Sequence, residues 1–169
     1  YQLGVDGISI LMVMLTAFIF PVTILGVWNS VTTRVKEFYF LLLLLMGALF
    51  GVFLSLDLIL FYMFWELILI PMYFIIGFWG GKNKYYANLK FFLYTMFGSL
   101  LMLVAIIWIS QYLTPQLGKF TSDYLALKTV SPYIPEAIQV WLFVFFAISF
   151  AIKVPMFPFH TWLPDAHTE

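Results

Sequence analysis

Leu58–Trp79 reads LILFYMFWELILIPMYFIIGFW, and Glu66 is its only charged residue. As a helix this run is long enough to cross a bilayer, which takes about 20 apolar residues. Glu66 falls near its middle, and so near the membrane midplane. A carboxylate at that depth costs roughly 2.5–3.5 kcal/mol on insertion scales. A group kept at such a cost is a candidate functional residue, and the rest of the chain has to supply its partner.

The residues around this run place the whole chain in lipid. Of 169 residues, 64% are hydrophobic and 9% are charged, and the mean hydropathy is +1.02. A soluble domain carries about 25% charged residues, so this chain lacks the polar groups to cover a water-facing surface. Its apolar runs far exceed the roughly 10-residue alternating strands of an outer-membrane barrel. The fold class is therefore all-α, a polytopic bundle of transmembrane helices. Eight Lys and Arg balance eight Asp and Glu, which leaves no basic patch for nucleic acid. The chain has no cysteine, so disulfides and thiolate-held iron–sulfur clusters are excluded within it. It opens on Tyr1 rather than Met and stops at Glu169 without a polar tail, which reads as a single membrane-domain fragment of a longer polypeptide.

Five spans are expected, at about residues 5–28, 38–54, 58–79, 89–110 and 136–163. Pro21 is expected to kink the first. From Phe38 to Gly81 only Asp57 and Glu66 are charged; one continuous helix there would run about 66 Å, twice the membrane. The polar point Ser55-Leu56-Asp57 is where the chain turns, with Asp57 or Ser55 capping the next helix. Gly47-x-x-x-Gly51 offers a site for close helix contact. Residues 111–135 form the longest loop, with a short surface helix expected around Asp123–Lys128. Loops one and three hold Arg34, Lys36, Lys82, Lys84 and, at a helix mouth, Lys90; loop two has no Lys or Arg, and loop four has Lys119 and Lys128. The positive-inside rule puts loops one and three in the cytoplasm or matrix and the 111–135 loop on the opposite side.

Glu66 has Tyr62 at i−4 and Tyr73 at i+7, so helical spacing predicts a polar Tyr–Glu–Tyr stripe turned away from lipid. Pro71 lacks an N–H and leaves the carbonyl of Leu67 without its usual donor. Burial disfavours the charged form of a carboxyl group and a nearby cation favours it, so Glu66 suits a proton-handling role; the alternative is a Glu that locks helices by hydrogen bonds. Lys153 lies deep in the last apolar run, which continues to Trp162-Leu163. Pro155 and Pro158 remove the donors to the carbonyls of Ala151 and Val154 and break the helix there. A buried cation at a broken helix is a way to build an ion-transport site; the alternative is a lysine that snorkels to the interface. If helicity persisted, His160 at i+7 would share the face of Lys153. Imidazole as a group changes charge near neutral pH, so the types of residue at His160 and His167 suit a relay; the alternative is that both are interfacial. Pro164 between them spoils helical ligand spacing, so no metal site is expected. Lys90 and Asp57 read as a helix-mouth anchor and a cap, and Asp165 as a cap for the segment after Pro164.

Phe64-Trp65-Glu66-Leu67, Ile70-Pro71-Met72-Tyr73 and Trp79-Gly80-Gly81 resemble the antiporter-like subunits of respiratory complex I, the NADH–quinone oxidoreductase. Lys153-Val154-Pro155-Met156, His160-Thr161-Trp162-Leu163-Pro164-Asp165-Ala166-His167 and Val5-Asp6-Gly7-Ile8-Ser9 agree, and the likeness spans essentially the whole chain. Taken together, these motifs are most similar to the M-type (chain 4) branch. The resemblance implies part of an inverted-repeat fold and proton translocation in a respiratory membrane arm, as a subunit of an enzyme. A mid-membrane Glu and a Lys on a broken helix form one half-channel, roles that fall on Glu66 and Lys153. Lys90 matches a further family lysine. Glu66 and Lys153 are then expected to attract each other across two helices, with His160, His167, Lys90, Tyr62 and Tyr73 in support. The resemblance places NAD, FMN, iron–sulfur clusters and quinone in partner subunits and none in this chain. It implies other membrane-arm subunits and the lipid bilayer as partners, in a bacterial inner or mitochondrial inner membrane. Subunits of multi-subunit sodium/proton antiporters and membrane-bound hydrogenases share the Glu and Lys, and a purely structural membrane scaffold is an alternative of another class.

Overall fold

The turn at residues 55–57 is the point from which the helices are laid out. Four backbone bonds hold it. Gly4 N–H donates to Leu54 O at 2.8 Å and Leu56 N–H to Gln2 O at 3.0 Å, while Tyr124 N–H donates to Leu56 O at 2.9 Å and Leu58 N–H to Ser122 O at 2.8 Å. A turn between two membrane helices has no ladder of its own, and its backbone groups need partners. Here the N-terminal segment and loop four supply them, through isolated bridges Leu3–Ser55 and Asp57–Asp123.

The computed structural model describes residues 1–168. The helices are α1 Ser9–Gly26, α2 Val35–Leu54, α3 Leu58–Leu67, α4 Leu69–Trp79, α5 Lys84–Tyr112, α6 Thr114–Leu117, α7 Tyr124–Val130, α8 Glu136–Lys153 and α9 Trp162–Thr168. Five stretches, with α3 and α4 counted as one, are long and apolar enough to cross a membrane. The fourth span, α5, begins at Lys84, earlier than the expected 89, because 84–88 holds no Gly or Pro to stop it. The last span ends its regular helix at Lys153 and continues through a short 3₁₀ turn, Phe159–Thr161, into α9.

Capping explains where the helices start. The Asp57 carboxylate accepts from Ile59 N–H at 3.0 Å and Leu60 N–H at 3.1 Å, and also from the Ser122 hydroxyl at 2.8 Å. Asp57 is thus the cap of α3; Ser55 instead donates back to Gly51 O at 2.6 Å. Asp123 caps α7 in the same way, so the surface helix expected around 123–128 forms one residue later. At the start of α1 the Asp6 carboxylate accepts from the Ser9 and Ile8 amides, and the Asp6 N–H donates to the Ser9 hydroxyl oxygen. Those bonds hold its carboxyl below the usual carboxylate range, the Ser9 amide first.

The core is built around α5, which packs against α8, α4, α9 and α3. Its buried residues, Phe91, Thr95, Gly98, Ser99, Met102, Ala105 and Ile106 among them, recur every three or four positions and form one face. Two glycines let helices approach. The Phe64 ring lies where a side chain on Gly51 would be, and Ile152 occupies the same position at Gly98. Gly47 meets nothing within 4 Å, so of the Gly47-x-x-x-Gly51 pair only Gly51 makes the close contact. Phe64 and Ile152 are near neighbours in sequence of Glu66 and Lys153, so both close approaches lie beside the two ionisable groups.

Candidate functional site

Glu66 is the next-to-last residue of α3, just before the chain bends. Pro71 cannot donate, and the helix bonds across the bend are long, with Ile68 N–H to Phe64 O at 3.3 Å and Met72 N–H to Ile68 O at 3.4 Å. The span kinks there and continues as α4. Glu66 Oε1 is buried with no protein hydrogen-bond partner. Ser99 of α5 lies close to both Glu66 and Tyr62, while its hydroxyl donates to the Met96 carbonyl at 2.9 Å. Tyr62 therefore joins the Glu66 group as its i−4 spacing predicts. Tyr73 does not. The bend re-aims α4, the Tyr73 side chain is 39% exposed, and its ring lies against Phe74 and Phe92. What ties that position inward is its backbone carbonyl, which accepts from the Asn88 side chain at 2.9 Å.

Lys153 is the last residue of α8, where the negative end of the helix dipole favours a cation. Its Nζ is buried with no protein hydrogen-bond partner. It lies over the Trp65 ring, 5.2 Å from the centroid. Glu66 and Lys153 are within electrostatic reach of each other, but they form no salt bridge. The expected attraction across two helices therefore acts at a distance, and the ammonium lies over the Trp65 ring instead.

The break after Lys153 is resolved differently from the simple loss of the Ala151 carbonyl's donor. Met156 N–H reaches back to Ala151 O at 2.8 Å. Ile152 O, which Met156 would serve in a regular helix, instead accepts from Trp162 Nε1 at 2.8 Å, a buried bond. Trp162 is 6% exposed and packs its ring 5.3 Å from Phe91. Nothing in the spacing of Trp162 announces this role, because it depends on the chain folding back after the break.

The two histidines fare differently. Helicity does not persist past Lys153, so His160 leaves the lysine's helical face. It sits in the 3₁₀ turn with its ring 5.6 Å from Phe157 and its Nδ1 buried without a protein partner. His167 and Lys153 line one cavity of about 460 Å³, together with Ile68, Met72, Phe91 and Trp162. Lys90 Nζ pairs with Asp165 Oδ2 at 2.6 Å, the only salt bridge among the described residues, and lies 5.6 Å from the Tyr86 ring. Asp165 is thus the partner of Lys90 across 75 positions rather than a helix cap. Among the described residues no group of three or more His, Cys, Asp and Glu is placed to hold a metal ion.

Fold and site together define a helical membrane protein carrying an acid and a base at two helix breaks inside its apolar spans. Residues 55–169 match the family described as NADH:quinone oxidoreductase/Mrp antiporter, transmembrane, and the chain belongs to that family. It is 49% identical over its whole length to NADH-quinone oxidoreductase subunit M of Rhodobacter capsulatus, of which it covers 34%. Among solved structures it is similar to a chain of respiratory complex I from Thermus thermophilus with bound NADH, with a TM-score of 0.78 and 36% identity, over 99% of this chain and 33% of that one. It is also similar to a chain of an archaeal membrane-bound sulfane sulfur reductase, with a TM-score of 0.80 and 25% identity, over 99% of this chain and 26% of that one. The chain thus spans about a third of the length of the curated relatives it matches.

Proposed function

We propose that this chain is the part of a proton-translocating membrane-arm subunit of NADH–quinone oxidoreductase that carries one acid–base pair of the proton path. NADH oxidation and quinone reduction take place in partner subunits, which hold NAD, FMN, iron–sulfur clusters and quinone. The observation that carries this reading is the pair Glu66 and Lys153. Both have buried, unpartnered polar atoms, both sit at breaks in apolar spans, and each feels the other's charge. Atoms that hold no fixed hydrogen bond, Glu66 Oε1 and Lys153 Nζ, are free to exchange one. Lys153 passes its proton onward when Glu66 is drawn away, and regains it when Glu66 returns. Tyr62 and Ser99 support the acid side. The cavity from Lys153 to His167 gives the base side a route towards the face that holds loops one and three. The basic residues of those loops support placing that face in the cytoplasm or matrix, in a bacterial or mitochondrial inner membrane.

The test uses the full-length subunit in the assembled complex. Glu66→Gln and Lys153→Ala should each abolish most proton pumping per NADH oxidised in sealed vesicles, while the complex still assembles. Unchanged pumping in both variants would overturn the reading and favour a structural scaffold. A second reading, a subunit of a sodium/proton antiporter or a hydrogenase-type complex, draws support from the likeness to the archaeal sulfur reductase. It uses the same pair with a different redox or ion partner, and the identity of the co-purifying subunits separates the two.

A further inference from the structure

The Lys153 ammonium rests on a ring rather than on a carboxylate. It lies over the face of Trp65, 5.2 Å from the centroid, and no protein atom accepts a hydrogen bond from Nζ. Trp65 precedes Glu66 in α3, so the two side chains leave neighbouring points of one helix turn. Two further rings pack against the indole. Phe61, one turn back in α3, lies 5.5 Å away, and Phe150 of α8, three residues before Lys153, meets it edge-on at 5.5 Å. Phe146 stacks on Phe150 in turn. These ring contacts join α3 to α8 beside the cation.

A ring of this kind differs from a carboxylate in one respect that matters for proton transfer. Its quadrupole attracts the charged amine, and that attraction goes when the amine is neutral. The ring itself neither accepts nor gives up the proton. We propose that Trp65 is the resting partner of the Lys153 ammonium, a positioning residue that stabilises the charge on the lysine without taking its proton. Lys153 then changes partners between two adjacent residues of α3, the Trp65 face and the Glu66 carboxylate, by rotation of its own flexible stem. The ionisable groups facing it are Glu66 from α3 and His167 across the cavity from α9; α5 meets α8 through Gly98, against Ile152, and Met102, whose sulfur accepts from the Ser149 hydroxyl. This inference rests on the reading of Glu66 and Lys153 as proton-translocating groups.

The experiment separates charge stabilisation from packing. Tryptophans bearing one, two and three ring fluorines are placed at position 65 of the full-length subunit by nonsense suppression, and proton pumping per NADH is measured in vesicles holding the assembled complex. Fluorine weakens the ring quadrupole and barely changes its shape. Pumping should fall stepwise with fluorine number. Trp65→Leu should lower it about ten-fold, and Trp65→Phe should restore part of that loss. A packing role predicts a flat fluorine series at constant complex content. A flat series, with pumping lost in Lys153→Ala, overturns the role of Trp65 alone. Intact pumping in Lys153→Ala overturns the reading beneath it.

Discussion

The chain contains two proline breaks inside apolar spans, and it treats them in opposite ways. At Pro71 one N–H is missing, the neighbouring helix bonds stretch to 3.3 and 3.4 Å, and the span bends and carries on. At Pro155 and Pro158 two donors are missing within four positions. The helix ends, and its last carbonyls are shared between a backbone N–H and the Trp162 indole. One lost bond is absorbed by a kink, whereas two need a side chain from elsewhere in the fold. The acid sits beside the break that bends, and the base beside the one that stops. A helix that stops at depth presents its negative end there, which suits Lys153; the continuous span beside Glu66 offers no such end.

The Lys153 side is thus held at its break and the Glu66 side at its capped start. The largest effect is expected from Trp162→Phe, which keeps a ring against Phe91 but strands the buried Ile152 carbonyl. Thermal unfolding of the purified membrane arm should show a loss of about 1–3 kcal/mol; no loss would mean that the break needs no side-chain donor. Asp57→Ala removes the cap of α3 and its bond to Ser122, and should cost about 0.5–2 kcal/mol in the same measurement. A cost near zero would put the anchor of the Glu66 side elsewhere. Pro71→Ala should change stability by no more than about 1 kcal/mol, because the bend is already absorbed by its neighbours. A loss as large as that of Trp162→Phe would erase the distinction between the two breaks.

Much of this was legible in the residues. The cost of burying charge picked out Glu66 and Lys153, and the missing N–H groups of Pro71, Pro155 and Pro158 marked where helices would fail. Asp57 was readable as a cap because capping acts within three residues. Tyr62 followed from i−4 spacing, whereas Tyr73 did not, since i+7 spacing runs across the bend that Pro71 itself creates. His160 failed for the same reason, on the far side of the second break. His167, at the end of α9, came to share a cavity with Lys153 only because the chain folds back after that break.

The sequence by itself determined that this is a helical membrane protein with about five spans, an acid in the third and a base in the last. Those properties follow from transfer free energy and helix geometry, which act over a few residues at a time. Only the tertiary structure decided which groups meet. It set Lys153 over Trp65 rather than against Glu66, joined Lys90 to Asp165 across 75 positions, and brought the Trp162 indole to the carbonyl of Ile152. Such contacts depend on how closely whole helices approach, as Gly51 and Gly98 allow here. That distance is a property of two packed surfaces, and no local run of residues encodes it alone.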